Sequence, residues 1–318
     1  MSNSPAHALL SPSSACRWLY CTPSARLTEN ISDESSVYAN EGTLAHELAS
    51  LKVEKKFTTL KKSEYDARLK AVKDDELYDA EMDRYTNEYV EYITEIAYSR
   101  PVMPVVKPET RLELDNYIPE SFGTADCMIV SGTDLFVIDF KYGKGIKVEA
   151  EGNEQMMLYG LGAYDYYSIM YQIKNVHMTI FQPRIGNLST AQLLTEDLLE
   201  WGHNFVRPQA QKAWAGVGDY SPSDSACQWC LVKGTCNARA DKFLDVFREL
   251  EPDREVKPPL LTPERKGEIL TLVSGFDKWI KDVEAAALKD ALAGEDVTGH
   301  KVVEGRSNRF VADEKALV

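Results

Sequence analysis

The chain has 318 residues, 44% of them hydrophobic and 10% aromatic, enough to bury the core of one large domain or of a domain with an appended module. Its 36 Lys and Arg face 50 Asp and Glu, a formal net charge of −14, which argues against a protein that coats nucleic acid through its overall field. No apolar run reaches membrane-spanning length, and the start MSNSPAHALLSPSSAC lacks the basic and long apolar stretches of a secretory signal, so a cytoplasmic protein with no membrane partner is expected.

Taken in chain order, an irregular start containing Pro5, Pro12 and Pro23 leads into a helix expected over 40–54, with Asn40 as its N-cap. Residues 52–62 hold five Lys and one Glu, a local basic run. A second helix is expected over 75–98, where Leu77, Met82, Tyr85, Tyr89, Ile93 and Ile96 recur near the helical period and nine acids accompany one Arg over 74–97. The period then changes. Strands are expected over 105–114, 124–131 and 134–141, the last two joined by a short turn from Ser131 to Thr133. A helix at about 153–171, a strand at about 174–182 and a helix at about 193–214 follow, then a loop over 215–240 that holds three cysteines. Prolines make 252–261 a linker ahead of a long helix from Thr262. The expected domains are therefore 1–251 and a helical extension, 252–318.

The stretch VIDFKYGKG, 137–145, raises the question of chemistry. In an extended chain Leu135, Val137, Asp139 and Lys141 share one face, so an acid and a base emerge side by side at a strand end. Asp126, in FGTADCMIV, lies almost opposite Asp139 if the two strands form a hairpin turning near residue 132. Two adjacent carboxylates repel unless a cation neutralises them, and a hard divalent ion such as Mg²⁺ or Mn²⁺ suits oxygen ligands. Lys141 then stands where it can steady a water or offset charge on a reacting phosphate. Gln155 and Tyr159 sit one turn apart on the following helix, able to hydrogen-bond a phosphate or orient Lys141. His46 is a candidate ligand on the first helix, and Gly42, one turn before it, leaves room for close approach. Glu109 is a further candidate acid, with Glu113 its rival.

This ordered set resembles the PD-(D/E)XK nuclease superfamily: Asp126 as its first acid, Asp139-Phe140-Lys141 as its (D/E)XK, Gln155 and Tyr159 as the QxxxY of its RecB-like branch, and His46 as that branch's upstream histidine. The resemblance implies an α/β fold, a restriction-endonuclease-like core of order α-β-β-β-α-β with a central mixed sheet flanked by helices. It implies a DNA nuclease with one or two Mg²⁺ or Mn²⁺ held by His46, Asp126, Asp139 and the Phe140 carbonyl, joined by Glu109, with Lys141 as base or charge stabiliser. Lys144 and Lys147, with Lys52, Lys55 and Lys56, are candidates for phosphate contacts.

Cys227, Cys230 and Cys236 form C-x2-C-x5-C, one thiolate short of a four-ligand site; Cys21 is the first candidate for the fourth and Cys16 the second, while Cys127 reads as a core thiol. One cysteine before the core and three after it look like the iron-sulfur staple of AddB-type helicase-nuclease subunits and CRISPR-adaptation exonucleases. That resemblance implies a [4Fe–4S] cluster on Cys21, Cys227, Cys230 and Cys236, with zinc as the alternative. The whole chain is similar to a phage and prophage-associated branch, through SPSSACRWLYC, DFKYGKG and VEGRSNR. That branch supplies no substrate of its own; taken with the nuclease resemblance, the leading reading is an exonuclease of phage recombination or replication in the cytoplasm of a bacterial host, with DNA and a phage single-strand-binding or annealing protein as expected partners. A non-catalytic DNA-binding scaffold and a structure-specific endonuclease are the alternatives.

Overall fold

In the computed structural model, which describes residues 8–31, 37–250 and 263–303, the switch to alternating periodicity near residue 105 is the start of the sheet. Strands β1 (Val105–Glu113), β2 (Phe122–Ser131) and β3 (Asp134–Phe140) run antiparallel in succession, and Gly132, at φ 62°, supplies the left-handed turn of the β2–β3 hairpin. Strand β4 (Asn175–Gln182) joins β3 in parallel, and β5 (Asn187–Leu194) closes the far edge antiparallel to β4. The result is a mixed five-stranded sheet in the order β1-β2-β3-β4-β5, flanked by helices.

Side-chain alternation gives the central strands two cores. Met128, Val130, Leu135 and Val137 face one, and Cys127, Ile129, Phe136, Ile138 and Phe140 face the other. The faces expected for residues 135–141 are those observed.

In chain order the helices are α1 (Ala15–Trp18), α2 (Ser24–Leu27), α3 (Val37–Phe57), α4 (Lys62–Lys73), α5 (Ala80–Tyr98), α6 (Glu154–Tyr167), α7 (Thr195–Trp201), α8 (Arg207–Ala215), α9 (Asp224–Gln228), α10 (Asn237–Leu250) and α11 (Pro263–Leu292), with a π-helical turn at Gly202–Val206. Helices α3 and α5 cover the second core: Leu44, Ala45, Leu48 and Ala49 recur along α3, and Met82, Tyr89, Ile93 and Ala97 along α5. Fully buried Leu48 and Ile93 each contribute about 1.5–3 kcal/mol. Helix α5 starts where the Asp79 carboxylate accepts the Met82 N–H, at 2.6 Å, and α6 where the Asn153 side chain accepts that of Met156, at 3.1 Å. Helix α6 is the crossover between the parallel strands β3 and β4 and packs on the first core.

Four sequence expectations change. Helix α3 already runs at Val37, so Asn40 lies inside it and not at its cap. The acidic segment from residue 74 is helical only from Ala80, because Asp79 caps it there, and the basic run feeds a separate helix, α4. Residues 193–194 belong to a strand: β5 is an edge strand with one face in solvent, and the helix starts only at Thr195. The 215–240 segment contains α9 and the first turn of α10.

The chain forms two compact units, Met1–Cys230 and Leu231–Val318. The division falls before the expected 251/252 because α10 packs on α11 within the second unit, where Phe243 stacks on Trp279 at 5.5 Å and Arg239 donates to Asp282 at 2.6 Å. The linker 252–261, Thr262 and all but Val303 of VEGRSNR lie outside the described residues. No described helix is long and apolar enough to cross a membrane.

Candidate metal centre

The hairpin register that pairs Cys127 with Ile138 sets Asp126 opposite Asp139 one step further on. Both carboxylates leave the same face of the sheet, at the end of β3. Asp126 is fixed from two sides: its Oδ2 accepts the Phe140 N–H at 2.7 Å, and its Oδ1 lies 3.2 Å from Nδ1 of His46, which α3 brings across from the other core. His46 also stands edge-on to the Phe140 ring, centroids 5.5 Å apart. Of the two rival acids on β1, Glu109 joins this group and Glu113 does not; Glu113 is exposed and held by Arg111 at 2.7 Å. Glu109 lies opposite Asp126 in the β1–β2 register and adopts a φ of 41°, a left-handed backbone that costs a non-glycine residue about 1–3 kcal/mol. Ligand atoms of His46, Glu109 and Asp126 all lie within 4.8 Å of one another.

Asp139 is 3% exposed, and the Lys141 ammonium lies 3.1 Å from its Oδ2 and 3.3 Å from its Oδ1. Gln155 ties the set together. Its carbonyl accepts from Lys141 Nζ, while its amide donates to Asp139 Oδ1 and to the Tyr159 hydroxyl, each at 3.3 Å. Tyr159 is seated because Gly123 has no side chain: a Cβ there would stand 2.7 Å from the Tyr159 ring and 2.8 Å from Pro12.

Charge is distributed unevenly. Burial raises the Asp126 carboxyl, but His46 beside it outweighs this and holds it below the usual range. Burial pushes Asp139 up, against the opposing pull of Lys141. For Lys141, burial is outweighed by Asp139 and Asp126, so the ammonium is held more firmly than usual. His46 is raised because Asp126 and Asp139 overcome its burial. Packing around the Glu109 carboxyl, and then the Asp126 carboxylate, push it up to about 7 although part of the residue is exposed. A clustered set of acids, one on a left-handed backbone and two of them with raised pKa, fits a hard divalent cation.

A further layer of the site was not visible in the sequence. Gln182, buried at the end of β4, donates to the carbonyls of Gly143 and Ile146 at 3.1 and 2.8 Å and accepts the Val148 N–H at 3.2 Å. It thereby pins the loop after Lys141. Arg184 pairs with Glu41 of α3 at 2.9 Å and lies over the Tyr142 ring at 4.3 Å, holding α3 to the strand end. The only sequence signal for either is the polar FQPR ending an otherwise apolar strand.

Comparison with known proteins follows from this geometry. Residues 7–318 match the family model described as "Protein of unknown function (DUF2800)". The chain belongs to the DUF2800 family. Among solved structures, one titled "Crystal structure of SSO0001" aligns over 68% of this chain and 93% of that chain at 12% identity, with a TM-score of 0.30, too low to support an argument.

Other expected site residues are placed differently. Lys52 is not available to phosphate: it is buried against α5, bonded to the Asp83 carbonyl, Thr86 and Asn87 at 2.6–2.8 Å. Lys55 lies over Tyr65. Lys144 and Lys147 are exposed, at 3.6 Å from Glu81 and 2.6 Å from Glu149. A Cβ on Gly42 would meet nothing within 4 Å, so no described element makes use of its space.

A four-cysteine cluster is not seen among the described residues: no disulfide joins the cysteines, and no three of their sulfurs lie within 4.8 Å of one another. Helix α1, which carries Cys16, packs against α9, which carries Cys227; Cys21 lies beyond α1, its N–H bonded to Arg17. Within the first unit the fold joins the start of the chain to α9 through the packing of α1 on it.

Proposed function

We propose that this protein is a metal-dependent DNA nuclease, an exonuclease that hydrolyses phosphodiester bonds, with the PD-(D/E)XK core that its residues resemble. The observation that carries the reading is the meeting of His46, Glu109 and Asp126 within 4.8 Å, beside the buried Asp139 carboxylate and the Lys141 ammonium paired with it. His46, Glu109, Asp126 and Asp139, with the Phe140 carbonyl, would hold Mg²⁺ or Mn²⁺. When bound, such an ion polarises a phosphoryl oxygen and lowers the pKa of a water nucleophile.

The protein's own groups do the positioning. Because Asp139 and Asp126 keep Lys141 protonated, its role is to offset charge gathering on the reacting phosphate and not to remove a proton. Gln155 aims that ammonium through its carbonyl and is itself fixed by Tyr159. His46 holds the Asp126 carboxylate in its ionised, ligating form.

The test uses linear DNA labelled at each end in turn, with Mg²⁺, Mn²⁺ or EDTA, beside Asp139→Ala. Release of label that needs both the metal and Asp139 supports the nuclease, and its order gives polarity. Folded protein that binds DNA but cuts no linear or circular substrate would return the chain to the scaffold reading. Iron and labile sulfide in anaerobically purified protein test the cluster: stoichiometric amounts would support it, and their absence with bound zinc would favour the alternative metal.

A further inference from the structure

Beside the carboxylates, the first unit has a cavity of about 440 Å³, within the roughly 300–1,000 Å³ of small-ligand sites. One wall belongs to the proposed centre, since Lys141 and Gln155 line both. The other is apolar, built from Pro12, Ile146, Val148 and Trp229. Trp229 is 71% exposed and Ile146 46% exposed, a large hydrophobic pair on the rim of a site whose other side is a fixed ammonium. Glu154, also on the rim, directs a carboxylate oxygen to the Tyr20 hydroxyl at 2.9 Å.

An aromatic face next to a cation is the pattern that binds one nucleotide: the ring stacks on the base while the charge takes the phosphate. Inside a duplex both faces of a base are already stacked, and an end pair bares one face while pairing holds the base in place, so an unpaired base is the one free to turn onto Trp229. The cavity is also prepared in advance, because buried Gln182 holds the Gly143–Val148 loop through three hydrogen bonds. With a net charge of −14, the protein gains little from long-range attraction to DNA, and stacking supplies a local contribution that any base can make.

We propose that this cavity holds an unpaired base of single-stranded DNA, stacked on Trp229, with its phosphate directed to Lys141. The proposal rests on the nuclease reading for which phosphate is presented, while the binding itself needs no hydrolysis. The experiment therefore uses the full chain in EDTA, following intrinsic tryptophan fluorescence as oligo-dT or a closed-end duplex hairpin is added. Oligo-dT is expected to quench the fluorescence and the duplex to leave it unchanged. Trp229→Phe should remove the quench yet keep affinity, since phenyl also stacks, whereas Trp229→Ala should weaken oligo-dT binding roughly ten- to a hundredfold. Ile146→Glu, at an exposed loop position that leaves the core alone, should weaken it as well.

Equal oligo-dT affinity for wild type and Trp229→Ala, or tighter binding of the duplex, would overturn the proposal. Repeating the set with Mg²⁺ separates the two readings. Cleavage without a Trp229-dependent preference leaves the nuclease standing and removes the base site; Trp229-dependent binding without cleavage does the reverse.

Discussion

Asp139 is 3% exposed and paired with the Lys141 ammonium, each charge buried on account of the other. Asp139→Asn is expected to abolish metal-dependent cleavage and, by leaving Lys141 short of its partner, to lower the thermal midpoint, outcomes that end-label assays and melting read separately. Lys141→Ala should lower turnover about 10²–10³-fold with divalent-ion affinity little changed, because its charge acts on phosphate. Loss of ion binding in that variant would instead make Lys141 a support for the ligands. In the proposed centre Glu109 would set the pH response. Its carboxyl is pushed up to about 7 in the metal-free protein, so below that pH a proton would compete with a divalent ion, and above it the carboxylate would be free to ligate. Divalent-ion affinity should therefore climb as pH rises through about 7, with a proton released on binding; calorimetry in buffers of different ionisation enthalpy would expose a flat profile if Glu109 takes no part.

The hairpin β2–β3 and the helix α6 behind it make the site one unit, and their contact is close. Gly123→Ala would drive a methyl to 2.7 Å from the Tyr159 ring, and overpacking of this kind destabilises by about 1–3 kcal/mol. Denaturant melts should show that loss, and cleavage should fall with it because Tyr159 fixes Gln155. These same elements were legible in the sequence: buried strands alternate with period two, so the spacing of Asp126 and Asp139 about a turn at Gly132 is enough to oppose them. Strand β5 was not legible, since an edge strand such as NLSTAQLL has one wet face and little apolar signal. Helix α4 was hidden for a related reason, being so polar that Val72 is its one buried residue. The roles of Gln182 and Arg184 depend on partners 34 or more residues earlier, which no local pattern encodes. The cysteine spacing was legible as a motif, whereas the packing of α1 on α9 beside it was not.

Across the whole molecule, the proposed centre and its cavity lie within Met1–Cys230. A chain lacking Leu231–Val318 is expected to bind Mn²⁺ with an affinity close to that of the full protein, measured by titration; a large loss would give the second unit a part in forming the site. The order of the strands has a further consequence. They stand side by side in the sequence in which they are written, β1 to β5, so each can be laid against its predecessor and none has to wedge between two already joined. On a ribosome the chain emerges from its amino end, and Asp126 and Asp139 are only 13 residues apart across one hairpin, a short closure that forms quickly. His46 and Glu109 have by then already left the exit tunnel ahead of them. The acids can thus meet while the remainder of the polypeptide is still being made, and the centre becomes a seed on which later strands are deposited.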